Sequence, residues 1–187
     1  VEGFFTMTIS LAIDTSTSRT VVGIVDNETV LFEKFHEGAT DHGRALSELV
    51  SAALMHNPQI DQVVVGMGPG PFTGLRVGIT FARTFALARQ IPVVGVCSLD
   101  AIALPASFDQ HNYIIATDAR RKEIYWARYV EGNRIEGPHV AKPADVANYI
   151  IGYFPDAQSL VRCSAQSDVK EPMYLRRPDA VPTTERP

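Results

Sequence analysis

Cysteine is scarce in this 187-residue chain. Its two cysteines, Cys97 and Cys163, lie far apart and form no CxxC pair. That excludes a disulfide-stapled scaffold or a cysteine zinc cluster and fits a reducing compartment. A basic excess is also lacking: 17 Lys and Arg against 21 Asp and Glu leave a formal charge of −4, which disfavours a protein that grips nucleic acid alone. No apolar run approaches the roughly 20 residues needed to cross a bilayer. The segment Val1-Glu2-Gly3-Phe4-Phe5-Thr6 has neither the basic region nor the long apolar stretch of a signal peptide. These absences predict a soluble, cytoplasmic protein with no membrane contact.

Signatures of catalysis are missing as well. There is no GxSxG, no HExxH and no Gly-Lys-Ser/Thr phosphate loop, and His36, His42, His56, His111 and His139 include no HxxxH pair. Protease-like hydrolysis and a bound metal are therefore disfavoured. What the chain does have is 45% apolar residues, enough for a sizeable core, and one unusual stretch.

That stretch is Gly66-Met67-Gly68-Pro69-Gly70-Pro71-Phe72-Thr73-Gly74-Leu75-Arg76. It follows the apolar run Val63-Val64-Val65 and opens the long apolar segment from Val77 to Ala88, so it reads as strand, glycine loop and helix start. Such a glycine and proline density holds a special backbone shape. Amides at a helix N-terminus can cradle an anion, and the same loop can equally be a rigid platform for a partner.

The flanking pattern predicts a β-meander over 8–12, 20–25 and 30–35. A helix over 41–56 follows, with Thr40 or Asp41 as N-cap and Leu46, Leu49, Val50, Ala53 and Leu54 as its apolar stripe. The strand over 60–66 leads to a helix over 73–90 that is apolar nearly all round, as expected of a helix covered on more than one side. A strand over 91–96, a short helix capped by Ser98, strands over 113–117 and 123–130, and helices over 143–151 and 159–164 complete the pattern.

Three stretches together resemble one family. Leu11-Ala12-Ile13-Asp14-Thr15-Ser16, the glycine loop through Arg76, and Asp118-Ala119-Arg120-Arg121-Lys122-Glu123-Ile124-Tyr125-Trp126-Ala127 are similar to the bacterial TsaB (YeaZ) family; Met173-Tyr174-Leu175-Arg176 resembles its closing strand. The resemblance implies an α/β, actin-like ATPase (ASKHA, ribonuclease H-like) fold with two lobes, over 8–108 and 109–177, the second shortened, with flexible ends over 1–7 and 178–187. It also implies a non-catalytic scaffold subunit of the complex that installs threonylcarbamoyl on N6 of adenosine 37 in tRNAs reading ANN codons. The implied partners are the catalytic subunit TsaD and the small ATPase TsaE, with a homodimer when alone and tRNA bound only within the complex. By the same resemblance this chain alone holds no cofactor, and ATP and Mg2+ are used by the assembled complex.

On this reading Asp41, His42, Leu46, Leu49, Phe72, Thr73, Leu75, Arg76, Thr80 and Arg83 form a partner interface. Asp14, Thr15, Ser16, Gly68 and Gly70 either satisfy turn amides or contact a nucleotide or anion. Arg120, Arg121 and Lys122 are either a solvated hairpin tip or a patch for tRNA or a partner. Arg76 opposes the helix dipole and calls for an acidic partner or a solvent-facing position. A different class of function, a stand-alone ATP-dependent phosphotransferase of the same fold, would need a glycine-bearing phosphate hairpin and a complete second lobe.

Overall fold

The computed structural model describes residues 8–57, 59–104 and 111–176. The expected flexible ends and the lobe boundary near Phe108-Asp109-Gln110 lie outside them.

The first sheet begins with an antiparallel meander of β1 (Ile9–Asp14), β2 (Arg19–Asp26) and β3 (Thr29–Glu37). Helix α1 (His42–His56) leads to β4 (Gln62–Gly66), and α2 (Phe72–Arg89) leads to β5 (Val93–Val96). Strands β4 and β5 run parallel to β1, and the order is β3-β2-β1-β4-β5. This is the ribonuclease H-like order of the actin-like ATPase fold.

Strand alternation explains why β1 and β4 are apolar throughout. Leu11, Ile13, Val63 and Val65 face the α1–α2 layer, where Leu46, Val50, Leu75 and Ile79 pack against them. Ala12 and Val64 face the opposite layer, formed by α3 (Ser98–Ala103) and α4 (Ala157–Ser164) through Ala101, Leu160 and Val161. Each large aliphatic side chain so buried contributes about 1.5–3 kcal/mol. Helix α4 is capped by Asp156, which accepts from Ser159 N at 2.8 Å, and Glu33 of β3 accepts from Ala157 N at 2.7 Å.

The second sheet has the order β8-β7-β6-β9. It comprises β6 (Asn112–Arg120), β7 (Glu123–Val130), β8 (Asn133–Ala141) and the two-residue β9 (Tyr149–Ile150), which pairs parallel to β6. Helix α3 ties the two sheets together, its Leu99, Ile102 and Ala103 packing on Tyr113, Ile115 and Tyr129. The Tyr129 hydroxyl donates to Asp100 at 2.8 Å across that contact.

Four expectations are corrected. The helix expected over 143–151 is a single 3-10 turn, Pro143–Asp145, followed by β9. Asn148 and Gly152, both at positive φ, end any helical path there. Met173–Arg176 is not a strand, although Met173 N donates to Met67 O at 2.8 Å. Ser98 does not cap α3: Cys97 holds the N-cap position, and the Ser98 hydroxyl goes to Asp14. Asp41 holds the N-cap position of α1, but its carboxylate accepts no cap hydrogen bond, because it is drawn to Arg44 and His36.

Candidate functional site

The glycine loop is organised against the turn that follows β1. Gly66, Gly70, Gly74 and Gly78 recur every fourth residue, and a Cβ on any of them would collide with atoms of Asp14, Ser16 or Thr15. The missing side chains let α2 start directly against the β1–β2 turn. Thr15 Oγ1 donates to Gly74 O at 2.7 Å, locking the first turn of α2 onto that hairpin. Gly68 sits at φ +94, a conformation open chiefly to glycine.

Asp14 is the centre of this contact and is fully buried. Its carboxylate accepts from Ser16 N at 2.8 Å, Ser16 Oγ at 2.7 Å and Ser98 Oγ at 2.6 Å, while Gly68 N donates to Ser98 Oγ at 3.3 Å. Burial pushes the Asp14 carboxyl above its ordinary range, opposed by the bonds from Ser98 and Ser16. Of the five residues considered for anion contact, Asp14, Thr15, Ser16 and Gly68 therefore face inward, and only Gly70 lines an open cleft. Ser98 was not legible in sequence as part of this cluster, since it lies 84 residues from Asp14.

The outer face of α2 is different. Together with α1 it forms an open groove of about 620 Å³ lined by Gly43, Leu46, Phe72, Thr73, Arg76, Val77, Thr80, Phe81 and Thr84. Phe72 is 43% exposed, and Leu87, further along α2, is 79% exposed. Of the ten residues expected at the interface, five line this groove: Leu46, Phe72, Thr73, Arg76 and Thr80. Leu75 is fully buried, because it shares the sheet-facing stripe with Ile79, Ala82 and Ala86. His42 is buried too, its Nδ1 2.7 Å from Thr20 Oγ1, and burial followed by the charges of Arg120 and His36 lowers its pKa. Leu46 is buried at the groove floor, Leu49 and Asp41 are half-buried outside its lining, and Arg83 is exposed outside it. Arg83 donates to Lys170 O at 3.2 Å. Arg76 is exposed, with its guanidinium 5.3 Å from the Phe72 ring centre and no carboxylate partner among the described residues.

The β6–β7 turn forms a third feature. Arg120, Arg121 and Lys122 all have positive φ, at 60, 52 and 62°, and Arg120 N donates to Asp118 Oδ1 at 3.0 Å. The turn is the hairpin tip expected from sequence, yet Arg120 and Arg121 line a cleft whose far wall is the start of α1 and α2. Arg176 joins them from the far end of the chain, donating to Ala119 O at 2.8 Å and pairing with Glu123 at 2.9 Å. Among the described residues no group of three or more His, Cys, Asp or Glu is placed to hold a metal ion, and no helix is long and apolar enough to cross a membrane.

Comparison with known proteins fits this geometry. A family model described as "TsaD: tRNA N6-adenosine threonylcarbamoyltransferase" matches residues 37–179, most of the chain. An uncharacterized Mycobacterium tuberculosis protein is 41% identical over 92% of this chain and 93% of its own length. The tRNA threonylcarbamoyladenosine biosynthesis protein TsaB of Escherichia coli is 34% identical over 64% of this chain. The chain belongs to the TsaB/YeaZ family. A solved structure titled an uncharacterized protein with similarity to peptidase YEAZ shares the fold, with a TM-score of 0.76 at 24% identity over 91% of this chain and 100% of the other. This TsaB/YeaZ chain spans 54% of the length of the E. coli protein and 57% of that of a 40%-identical Mycobacterium leprae relative. The alignment with the M. tuberculosis protein runs over 200 positions, more than the 187 residues present, so this chain lacks internal residues that its relative has.

Proposed function

We propose that this chain is a non-catalytic subunit of the machinery that makes threonylcarbamoyladenosine in tRNA, and that it acts by holding a partner on the outer face of α1 and α2. The observation that carries this reading is the open apolar groove on a helix whose other face is already buried in the core. Phe72, Val77, Thr80 and Phe81 offer a contact surface of a size and polarity suited to another helix pair. The partner is the catalytic subunit TsaD, with TsaE joining the pair, and a second copy of this chain takes the same face when TsaD is absent. ATP and Mg2+ serve the assembled complex, and tRNA is engaged only within it.

The inward orientation of Asp14 favours this reading over a stand-alone phosphotransferase. A carboxylate that accepts three hydrogen bonds from its own chain has little capacity left for a metal–phosphate group. The test is co-purification with TsaD from the same organism, followed by modification of an ANN-decoding tRNA with and without this chain. Association with TsaD, loss of modification when the chain is omitted, and inactivity of the chain alone are expected. Turnover of ATP by the chain alone at an enzymatic rate would overturn the proposal.

A further inference from the structure

Two helices start side by side here, and neither receives a side-chain hydrogen bond at its cap. Helix α2 has Pro71 at its N-cap, no side-chain cap and no acid in its first turn. Helix α1 also lacks a side-chain cap bond and a first-turn acid, although Asp41 holds its N-cap position with its carboxylate turned to Arg44. Their leading amides and positive dipole ends face a cleft of about 720 Å³, lined from the other side by Arg120, Arg121 and Arg176. Among the described residues no Asp or Glu lines that cleft, although Glu123 pairs with Arg176 and Asp118 lines the compartment next to it. In a chain of net charge −4, the Arg120 guanidinium, the uncapped start of α2 and the partly neutralised Arg176 give this concavity a local excess of positive charge.

Arg176 is anchored by Ala119 O and Glu123, whereas the Arg120 guanidinium has no carboxylate partner among the described residues. The cleft continues into a second compartment that shares Ala39, Pro71, Arg120 and Arg121. Its wall includes Thr117, which is 7% exposed and whose hydroxyl has no hydrogen-bond partner among the described residues. An oxyanion beside it would supply the acceptor. At the mouth Phe72 and Tyr174 touch, with ring centres 4.9 Å apart, and form a partly exposed apolar lip.

We propose that this cleft binds a phosphate ester, its oxygens held by Arg120, Arg176 and the first amides of α2, its organic part against Phe72 and Tyr174. Guanidinium forks and helix-start amides are the groups that fit phosphate oxygens, and the aromatic lip suits the body attached to them. The ester is either a small phosphorylated compound or a phosphodiester of a single-stranded RNA. This assignment shares Phe72 and Thr73 with the α1–α2 groove and concerns the chain by itself.

The test is titration calorimetry of the isolated chain with inorganic phosphate, with a short single-stranded RNA and with a glutamate-rich peptide. Saturable phosphate binding is expected, weakened about tenfold by Arg120→Gln, the loss of one charge-assisted contact. RNA that binds more tightly than phosphate, with affinity falling steeply as salt rises, assigns the site to a strand. RNA that binds no better assigns it to a small ester. Thr73→Asp separates binding from folding: an acid in the first turn of α2 should raise the melting temperature while abolishing phosphate binding. Arg162→Gln, in the remote pair with Glu28, should leave binding unchanged. Absence of saturable phosphate binding, binding unaffected by Arg120→Gln or Thr73→Asp, or capture of the peptide in preference to phosphate would each overturn the assignment.

Discussion

The two sheets each begin with a hairpin, and the two turns treat their polar residues in opposite ways. The β1–β2 turn carries Asp14, Thr15 and Ser16 and buries all three, with every carboxylate bond made inside the chain. The β6–β7 turn carries Arg120, Arg121 and Lys122 and leaves them at the surface in left-handed conformations that non-glycine residues seldom adopt. The first turn is a structural joint that fixes α2 against β1. The second is a charged projection whose geometry is not explained by packing. In this fold the acidic hairpin is therefore committed to stability, and the surface charge belongs to the hairpin of the second sheet.

The largest effect is expected at the joint. Asp14→Ala strands the Ser98 hydroxyl and the Ser16 amide without their acceptor, and urea unfolding should show a loss of about 3 kcal/mol or more. A loss below about 1 kcal/mol would mean that the turn tolerates solvent and that the contrast with the second hairpin is weaker than drawn. Next comes Gly78→Ala, which forces a methyl group against Thr15. Overpacking there should cost about 1–3 kcal/mol, and an unchanged urea midpoint would show that α2 can back away from the hairpin.

His42 lies between the two turns and gives a pH test. Its folded pKa is lowered from 6.5 by burial, then by Arg120 and His36. The unfolded chain therefore binds the proton more readily, so stability falls as pH drops below about 6.5 and the loss levels off beneath the folded pKa. Thermal melting at pH 7.5 and 5.5 should show this fall, and His42→Asn should flatten it. An equal fall in the variant would assign the effect to other groups.

The smallest effect is expected at the second turn. Lys122 sits at φ 62, where an L-residue pays about 1–2 kcal/mol that glycine avoids. Against the entropy glycine adds to the unfolded chain, Lys122→Gly should raise the unfolding free energy by up to about 1 kcal/mol. A clear destabilisation would show that the Lys122 side chain makes contacts that hold the turn.

Much of this contrast was legible in sequence, for reasons that differ by region. The meander, α1 and α2 follow from strand alternation and from apolar stripes at helical spacing, signals carried by adjacent residues. The glycine spacing at 66, 70, 74 and 78 was visible, but its meaning was not: the atoms that demand it belong to Asp14, Thr15 and Ser16, more than fifty residues earlier. The same distance hid Ser98 as the partner of Asp14 and Arg176 as a wall of the cationic cleft. Leu75 was placed at the interface because it sits within the glycine motif, although its helical phase puts it under the sheet. The segment over 143–151 reads as a helix by composition, yet Tyr149 and Ile150 are drawn to the open edge of β6.

The account rests most heavily on the outer face of α2 as the place where a partner sits. Thr80 and Thr84 are exposed there, one turn apart on the groove. Replacing both by Glu places two like charges at i,i+4, which costs the helix only about 0.2–0.5 kcal/mol, while filling the apolar groove with charge. Sedimentation velocity of the chain mixed with TsaD is the direct measurement. The account predicts a heterodimer for the wild type and separate species for Thr80→Glu/Thr84→Glu, with the melting temperature of the variant nearly unchanged. A heterodimer of undiminished affinity in the variant would contradict it.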